Sequence, residues 1–235
     1  WEIVNKMNLG VELGFLNGMI DLQLDYFDER RKDIFMPRES VPMTAGFMKQ
    51  PWKNFGKVTN QGVEVSLNVN KQFGKDLFVS LMGTFTYAHN EITEKDEPSA
   101  VVGTNRAETG HPVGQLTGYI AEGLFTEDDF EDVSTGKLKE GIPTQSFVGK
   151  LRPGDIRYRD VNGDGKVDVF DKSPIGGTKD PEIVYGFGLN MKYKNLDFGA
   201  LFQGIGRSWN ILGSSIISGA NRGVTGNMFT NANDR

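Results

Sequence analysis

The twelve residues DVNGDGKVDVFD, Asp160 to Asp171, set Asp160, Asn162, Asp164, Asp168 and Asp171 around two glycines. Their spacing is that of a calcium loop. Ca²⁺ takes about six to eight hard oxygens, and a glycine at loop position 6 lets the chain turn sharply around the ion. Asp160 would stand in position 1, Asn162 in 3, Asp164 in 5, Lys166 (through its carbonyl) in 7, Asp168 in 9 and Asp171 in 12, with Gly165 at the turn. Aspartate replaces the usual glutamate in position 12, and its shorter arm would reach the ion with one oxygen, lowering affinity or favouring a smaller ion. The flanks, GDIRYR and KSPIGG, read as strand and turn rather than as two helices. The same residues also suit an Asx-rich turn, in which Asp and Asn side chains accept from backbone amides without an ion. Neither reading makes an enzyme.

Other chemistry is sparse. EGLFTEDDFED (Glu122–Asp132) gathers carboxylates around two phenylalanines and reads as a solvated loop, with an ion site or a partner contact as the functional alternative. The histidines are His89 and His111, neither in a metal-ligand spacing, so a histidine-based zinc site and a Ser-His-Asp triad are not expected. Paired carboxylates for glycoside hydrolysis are available in any acidic chain and are tested only by their separation in space. GHPVGQLTGY offers Gly110, Pro112, Gly114, Gly118 and Tyr119 to fix a loop course. GFGLN and GALFQGIG lie in strand pattern, so their glycines read as bends or close packing rather than as a dinucleotide loop. Trp52 and Trp209 could stack on sugar rings or belong to a membrane-interface girdle.

What would position these residues is a set of strands. The 235-residue chain holds 30 glycines and 11% aromatic residues, and no window sustains a helical period. VEVSLNVN (63–70) alternates fully, with Val63, Val65, Leu67 and Val69 on one face. Its partner, LFVSLMGTFTYAHNEI (77–92), places Val79, Leu81, Phe85 and Tyr87 together. LGVELGFL and MIDLQLDYFDE flank Asn17-Gly18, a strong signal for a type I′ hairpin. IVYGFGLNMKY and LDFGALFQG meet at Lys194-Asn195. Three hairpins, hence about six strands, are joined by long connections over residues 31–56 and 92–182, and connections of such length are uncommon inside compact soluble domains. Short turns alternating with long loops are the asymmetry of outer-membrane barrels, whose strands show lipid and water in turn and so hide their hydrophobicity. Aromatic residues near strand ends (Phe15, Tyr26, Phe27, Phe73, Phe78, Tyr87, Tyr193 and Phe202) fit a membrane girdle.

A net charge of −5 argues against a nucleic-acid partner, which would require clustered lysine and arginine. Zero cysteines exclude a disulfide scaffold and thiolate chemistry. No apolar run is long enough for a membrane-spanning helix, which leaves a β-barrel open. The chain reads as a fragment, opening at Trp1 within ordered sequence and ending without a closing strand.

NFGKVTNQGVEVSLN (54–68), GHPVGQLTGYIAEGLF (110–125), DLQLDYFDERRKDIF (21–35) and the long stretch from Pro153 to Gly204 together closely resemble the SusC/RagA family of TonB-dependent outer-membrane transporters of Bacteroidetes. The resemblance covers nearly the whole chain. It implies an all-β fold, an antiparallel transmembrane β-barrel of about 22 strands to which this chain contributes part of the C-terminal half. It further implies import of oligosaccharides or peptides, a SusD-like surface lipoprotein as lid, outer-membrane lipid around the barrel, and TonB engaged through an N-terminal part outside this stretch. The Asp-rich loop would then face outward within residues 92–182. The competing readings are a soluble extracellular calcium-dependent β-sandwich that binds glycans, and a secreted β-rich hydrolase.

Overall fold

The computed structural model describes residues 1–211. Six long strands make one sheet: β1 (Ile3–Phe15), β2 (Ile20–Pro37), β3 (Trp52–Phe73), β4 (Leu77–Glu94), β5 (Ile183–Tyr193) and β6 (Leu196–Gly206). Each pairs antiparallel with its neighbours in sequence, so the order in the sheet is the order in the chain.

Register turns the alternation of each strand into rows across the sheet. Leu13, Leu22, Leu67, Gly83, Phe187 and Phe202 stand in one row, and Phe15, Ile20, Val69, Leu81, Leu189 and Ala200 in another. Between them on the other face run rows such as Gly14, Asp21, Asn68, Met82, Gly188 and Leu201, or Glu12, Gln23, Ser66, Thr84, Gly186 and Gln203. One face is thus continuously apolar and the other mostly polar. The apolar face spans the length of β5, which has 11 residues. At about 3.3 Å per residue and a tilt near 45° this makes a band about 25 Å tall, the thickness of a membrane's hydrocarbon core as barrels meet it. Beyond the row Tyr26, Val63, Tyr87 and Ile183 the same face turns polar, with Asp28, Gln61 and His89 in register.

Among the described residues nothing covers the band. Leu9 is 66% exposed and Leu201 on the opposite face 72%, whereas the buried hydrophobic residues, among those described, are Ile92, Phe125, Phe130, Leu151 and Val167. None of these lies in the apolar rows. A β-sandwich would need a second sheet packed about 10 Å away, and the other sheets are two-stranded ladders within the loop between β4 and β5. Among the described residues the sandwich reading therefore lacks its partner layer.

Several expectations are refined. Asn17 and Gly18 take φ of 57° and 80°, and Met19 N–H donates to the Leu16 carbonyl at 3.3 Å, closing the tight turn; Leu16 joins them at φ 54°. The first long connection is shorter than expected, residues 38–51, because β2 and β3 run past the point where alternation stops. A bulge at Asp33 (φ 58°) shifts the register between Arg31 and Ile34 and breaks the period. Two expected girdle residues face the other way: Phe27 is paired with Asn8 and Gly62, and Phe78 with Gln72, all on the polar face. Gly62 is required where it stands, since a Cβ there would overlap both the Tyr87 carbonyl oxygen and the Phe27 ring.

The connection between β4 and β5 is folded. Thr117–Gly118 pairs with Ser173–Pro174, Ala121–Leu124 with Ile156–Tyr158, and Thr144–Gln145 with Lys166–Val167. Phe125, Phe130 and Leu151 form its core, with Leu138, Ile142 and Val148 packed against them. The carboxylate-rich stretch around residue 127 therefore has its two phenylalanines turned inward and its acids outward.

Candidate functional site

The loop from Asp160 to Asp171 is closed by its own amides. Asp160 accepts from Gly163 N–H at 2.6 Å through one oxygen and from Gly165 N–H at 2.8 Å through the other. Asn162 Oδ1 accepts from Asp164 N–H, Asp164 Oδ1 from Lys166 N–H, and Asp168 Oδ1 from Phe170 N–H. Gly163 and Gly165 sit at φ 76° and 83°, where a side chain would be strained. Asp171 is fully buried: one oxygen takes Val161 N–H at 2.8 Å and Asn162 N–H at 3.3 Å, the other Asp168 N–H at 2.7 Å.

The bonds of Asn162, Asp164 and Asp168 have Asx-turn spacing, and those of Asp160 and Asp171 close the loop over longer spans. Together they bring Asp160, Asn162 and Asp164 to one end of the loop and spend Asp171, the position 12 arm, on three amides. Among the described residues no group of three or more His, Cys, Asp or Glu side chains converges as a metal cage. The donor set is that of a calcium loop, and the side chains that would close round an ion bind the backbone here.

Carboxylates elsewhere do the same work. Asp132 accepts from Ser134 Oγ, Thr135 Oγ1 and Ser134 N–H, and these bonds, in that order, hold its carboxyl down to about 2. Asp129 accepts from Thr126 N–H and Oγ1 at the start of the turn before Phe130. Asp96 is buried, which works against ionisation, but Arg38 Nε at 2.8 Å and Ser40 Oγ and N–H outweigh that, and its carboxyl lies below the ordinary range. That cluster ties the 38–51 connection to the segment leaving β4. It was not visible in the sequence, because Asp96 lies more than fifty residues from Arg38 and Ser40 with no shared period.

The loop is also tied to the sheet. Gly110 N–H donates to the Ile92 carbonyl at 2.8 Å, Ile92 N–H to the His111 carbonyl at 2.9 Å, and Val113 N–H to Asn90 Oδ1 at 2.8 Å. Asn90 stands opposite Asn60 on the polar face, so the GHPVG segment folds over that face, fixing a loop course as its glycines and proline suggested. His89 pairs with Glu182 at 2.5 Å, and Arg207 joins the same carboxylate at 3.2 Å, just past the apolar band. Trp209 is laid against Gly176 and Gly177, so its ring serves packing; Trp52 is 57% exposed beside Phe35, with ring centroids 5.1 Å apart.

A sheet apolar on one face and polar on the other, with tight turns at one end and folded loops at the other, is part of the wall of a membrane β-barrel. The chain belongs to the family described as TonB dependent receptor-like, beta-barrel, which matches residues 1–201, a family of outer-membrane transporters rather than enzymes. Among its relatives are the TonB-dependent receptor SusC of Bacteroides thetaiotaomicron, 29% identical over 203 residues (84% of this chain, 19% of that protein), and TonB-dependent receptor P3 of Formosa agariphila, 25% identical over 214 residues (86% and 20%). Similar solved structures are those of the RagAB peptide importer. The open-open state has a TM-score of 0.64 at 22% identity over 92% of this chain and 22% of that one; the closed-closed state has 0.61 at 22% identity over 89% and 22%. The likeness to these structures shows the fold. The chain spans about a fifth of the length of the curated relatives it matches.

Proposed function

We propose that this chain forms part of the wall and outward loops of a TonB-dependent outer-membrane transporter that imports oligosaccharides or peptides. A SusD-like surface lipoprotein caps it, and TonB energises it through a part of the protein beyond this stretch. The observation that carries the reading is the uncovered apolar band about 25 Å tall, backed by a polar face that suits a water-filled or plugged interior. Loop length orients it: the turns near Asn17-Gly18, Gly74-Lys75 and Lys194-Asn195 face the periplasm, and residues 38–51 and 95–182 face outward. The likeness to a peptide importer supports peptides as a ligand class, and the resemblance of the sequence motifs to the SusC/RagA family supports the oligosaccharide alternative and the lipoprotein lid.

The protein containing this chain would be recovered from the outer-membrane fraction and, after gentle solubilisation, would bring a surface lipoprotein with it. Deleting its gene would abolish growth on one class of oligosaccharide or peptide. Recovery from the soluble fraction would sink the reading.

Within that assembly the loop 160–171 is proposed as a calcium-responsive strut. Asp160, Asn162, Asp164, the Lys166 carbonyl and Asp168 would hold the ion, with Asp171 keeping its amide bonds. Titrating Ca²⁺ into the wild-type protein and into Asp160→Ala and Asp164→Ala variants tests it. Equal heats in all three would leave the loop as an ion-free turn.

A further inference from the structure

Between the segment leaving β4 and the segment following the Asp-rich loop lies a cavity of about 340 Å³, within the range that holds small ligands. Its lining carries two cations, Arg106 and Lys172, and the acidic residue beside them, Glu108, is already bonded to Lys95 at 2.6 Å. Neither Arg106 nor Lys172 has a carboxylate partner among the described residues. Arg106 lies over the Phe170 ring, 4.6 Å from its centroid, and makes one long bond, 3.4 Å, to the Ala100 carbonyl. The contact with the ring holds the guanidinium in place while leaving most of its five N–H donors uncommitted. Lys172 sits 5.7 Å from the centroid of Tyr119, likewise without an acceptor.

This positive lining stands within an acidic chain, close to the carboxylates of the Asp-rich loop. The wall around it is held rigid, because Gln115 Nε2 donates to the carbonyls of Leu116 and Ile175 at 2.9 and 3.3 Å. The bonds of Gly110 and Val113 to β4 place the cavity beside the polar face of the sheet, at the end away from the tight turns.

We propose that this cavity binds a carboxylate of the imported ligand, with Arg106 gripping it through two parallel N–H donors and Lys172 adding a single charged bond. A planar, pre-oriented guanidinium beside a point charge suits that group better than it suits a neutral sugar or amide. The uncharged part of the lining, Thr117 and Val169 among it, accommodates the body of the ligand. The proposal rests on the transporter reading only for calling the ligand cargo. A carboxylate could come from an acidic oligosaccharide or from an acidic peptide, and the test separates them.

The whole protein with any co-purifying lipoprotein, in detergent, is titrated calorimetrically with oligogalacturonate, with a neutral maltooligosaccharide of equal length, with an acidic tetrapeptide and with its fully amidated counterpart. One carboxylate probe should bind at least about tenfold more tightly than its neutral counterpart, and Arg106→Gln and Lys172→Gln should each weaken it by about tenfold or more, as loss of a charge-assisted bond does. Lys139→Gln, outside the lining, should bind as wild type does. Which probe responds names the ligand class. Failure of both carboxylate probes to bind, or equal binding in wild type and both variants, would overturn the proposal. Charge-dependent binding in a protein that imports nothing would keep the cavity and sink the transporter reading instead.

Discussion

At the scale of single residues the aspartates act by binding amides. Asp171 is fully buried and receives three backbone N–H groups. A buried amide left without its partner costs about 1–3 kcal/mol, so Asp171→Ala should open residues 160–171 locally, seen as faster hydrogen exchange there with the strands unchanged. Sequence could place these residues in a loop but could not choose between an ion and amides, since both ask for the same side chains at the same spacing. Asp96 makes a pH prediction. Its folded carboxyl lies below the ordinary value of 3.8, so its bonds to Arg38 and Ser40 contribute stability above that value, which is lost as pH falls through the folded one. Proteolysis within residues 38–51 should be flat from about pH 5 to 8 and rise below about pH 3.8, and Asp96→Asn should raise it at neutral pH and remove most of that pH dependence.

At the scale of the strands, alternation was the legible part. Val63, Val65, Leu67 and Val69 share a face in the sheet as they do on paper, and the three hairpins stand where the turn residues put them. What escaped were the outer ends of β2 and β3 and the facing of Phe27 and Phe78. Past Tyr26 the apolar face meets water and loses its apolar residues, and the bulge at Asp33 reverses which parity points where. Phe27 fills the space that Gly62 leaves, a tertiary reason without a local signal. The two faces predict opposite responses to charge. Leu67 lies near the middle of the band, so Leu67→Arg should cost about 2–4 kcal/mol of stability in a bilayer. Asn68→Lys, one residue on, faces the interior opposite Asp21 and should change stability by less than about 1 kcal/mol. Urea titration of the whole protein folded into lipid vesicles measures both, and equal costs would mean that the apolar face does not meet lipid.

For the whole molecule the question is how far the sheet and the long loop depend on each other. The loop has its own core of Phe125, Phe130 and Leu151, its own two-stranded ladders and a self-bonded Asp-rich turn. β4 and β5, which it joins, are paired directly from Tyr87–Ile183 down to Leu77–Tyr193. The wall therefore holds its register without help from the loop, while the loop's ties to the wall are bonds at Asn90, Ile92 and Glu182 and, just past β6, at Ser208 and Trp209. Replacing residues 97–180 of the whole protein by a short glycine-containing turn should leave a barrel that inserts and resists detergent at room temperature, seen as the unchanged heat-dependent shift of its gel mobility. The same variant should lose the carboxylate binding assigned to Arg106 and Lys172. A barrel that no longer folds would show that the loop is part of the wall's stability, and the division of labour between a lipid-facing sheet and a ligand-facing loop would have to be abandoned.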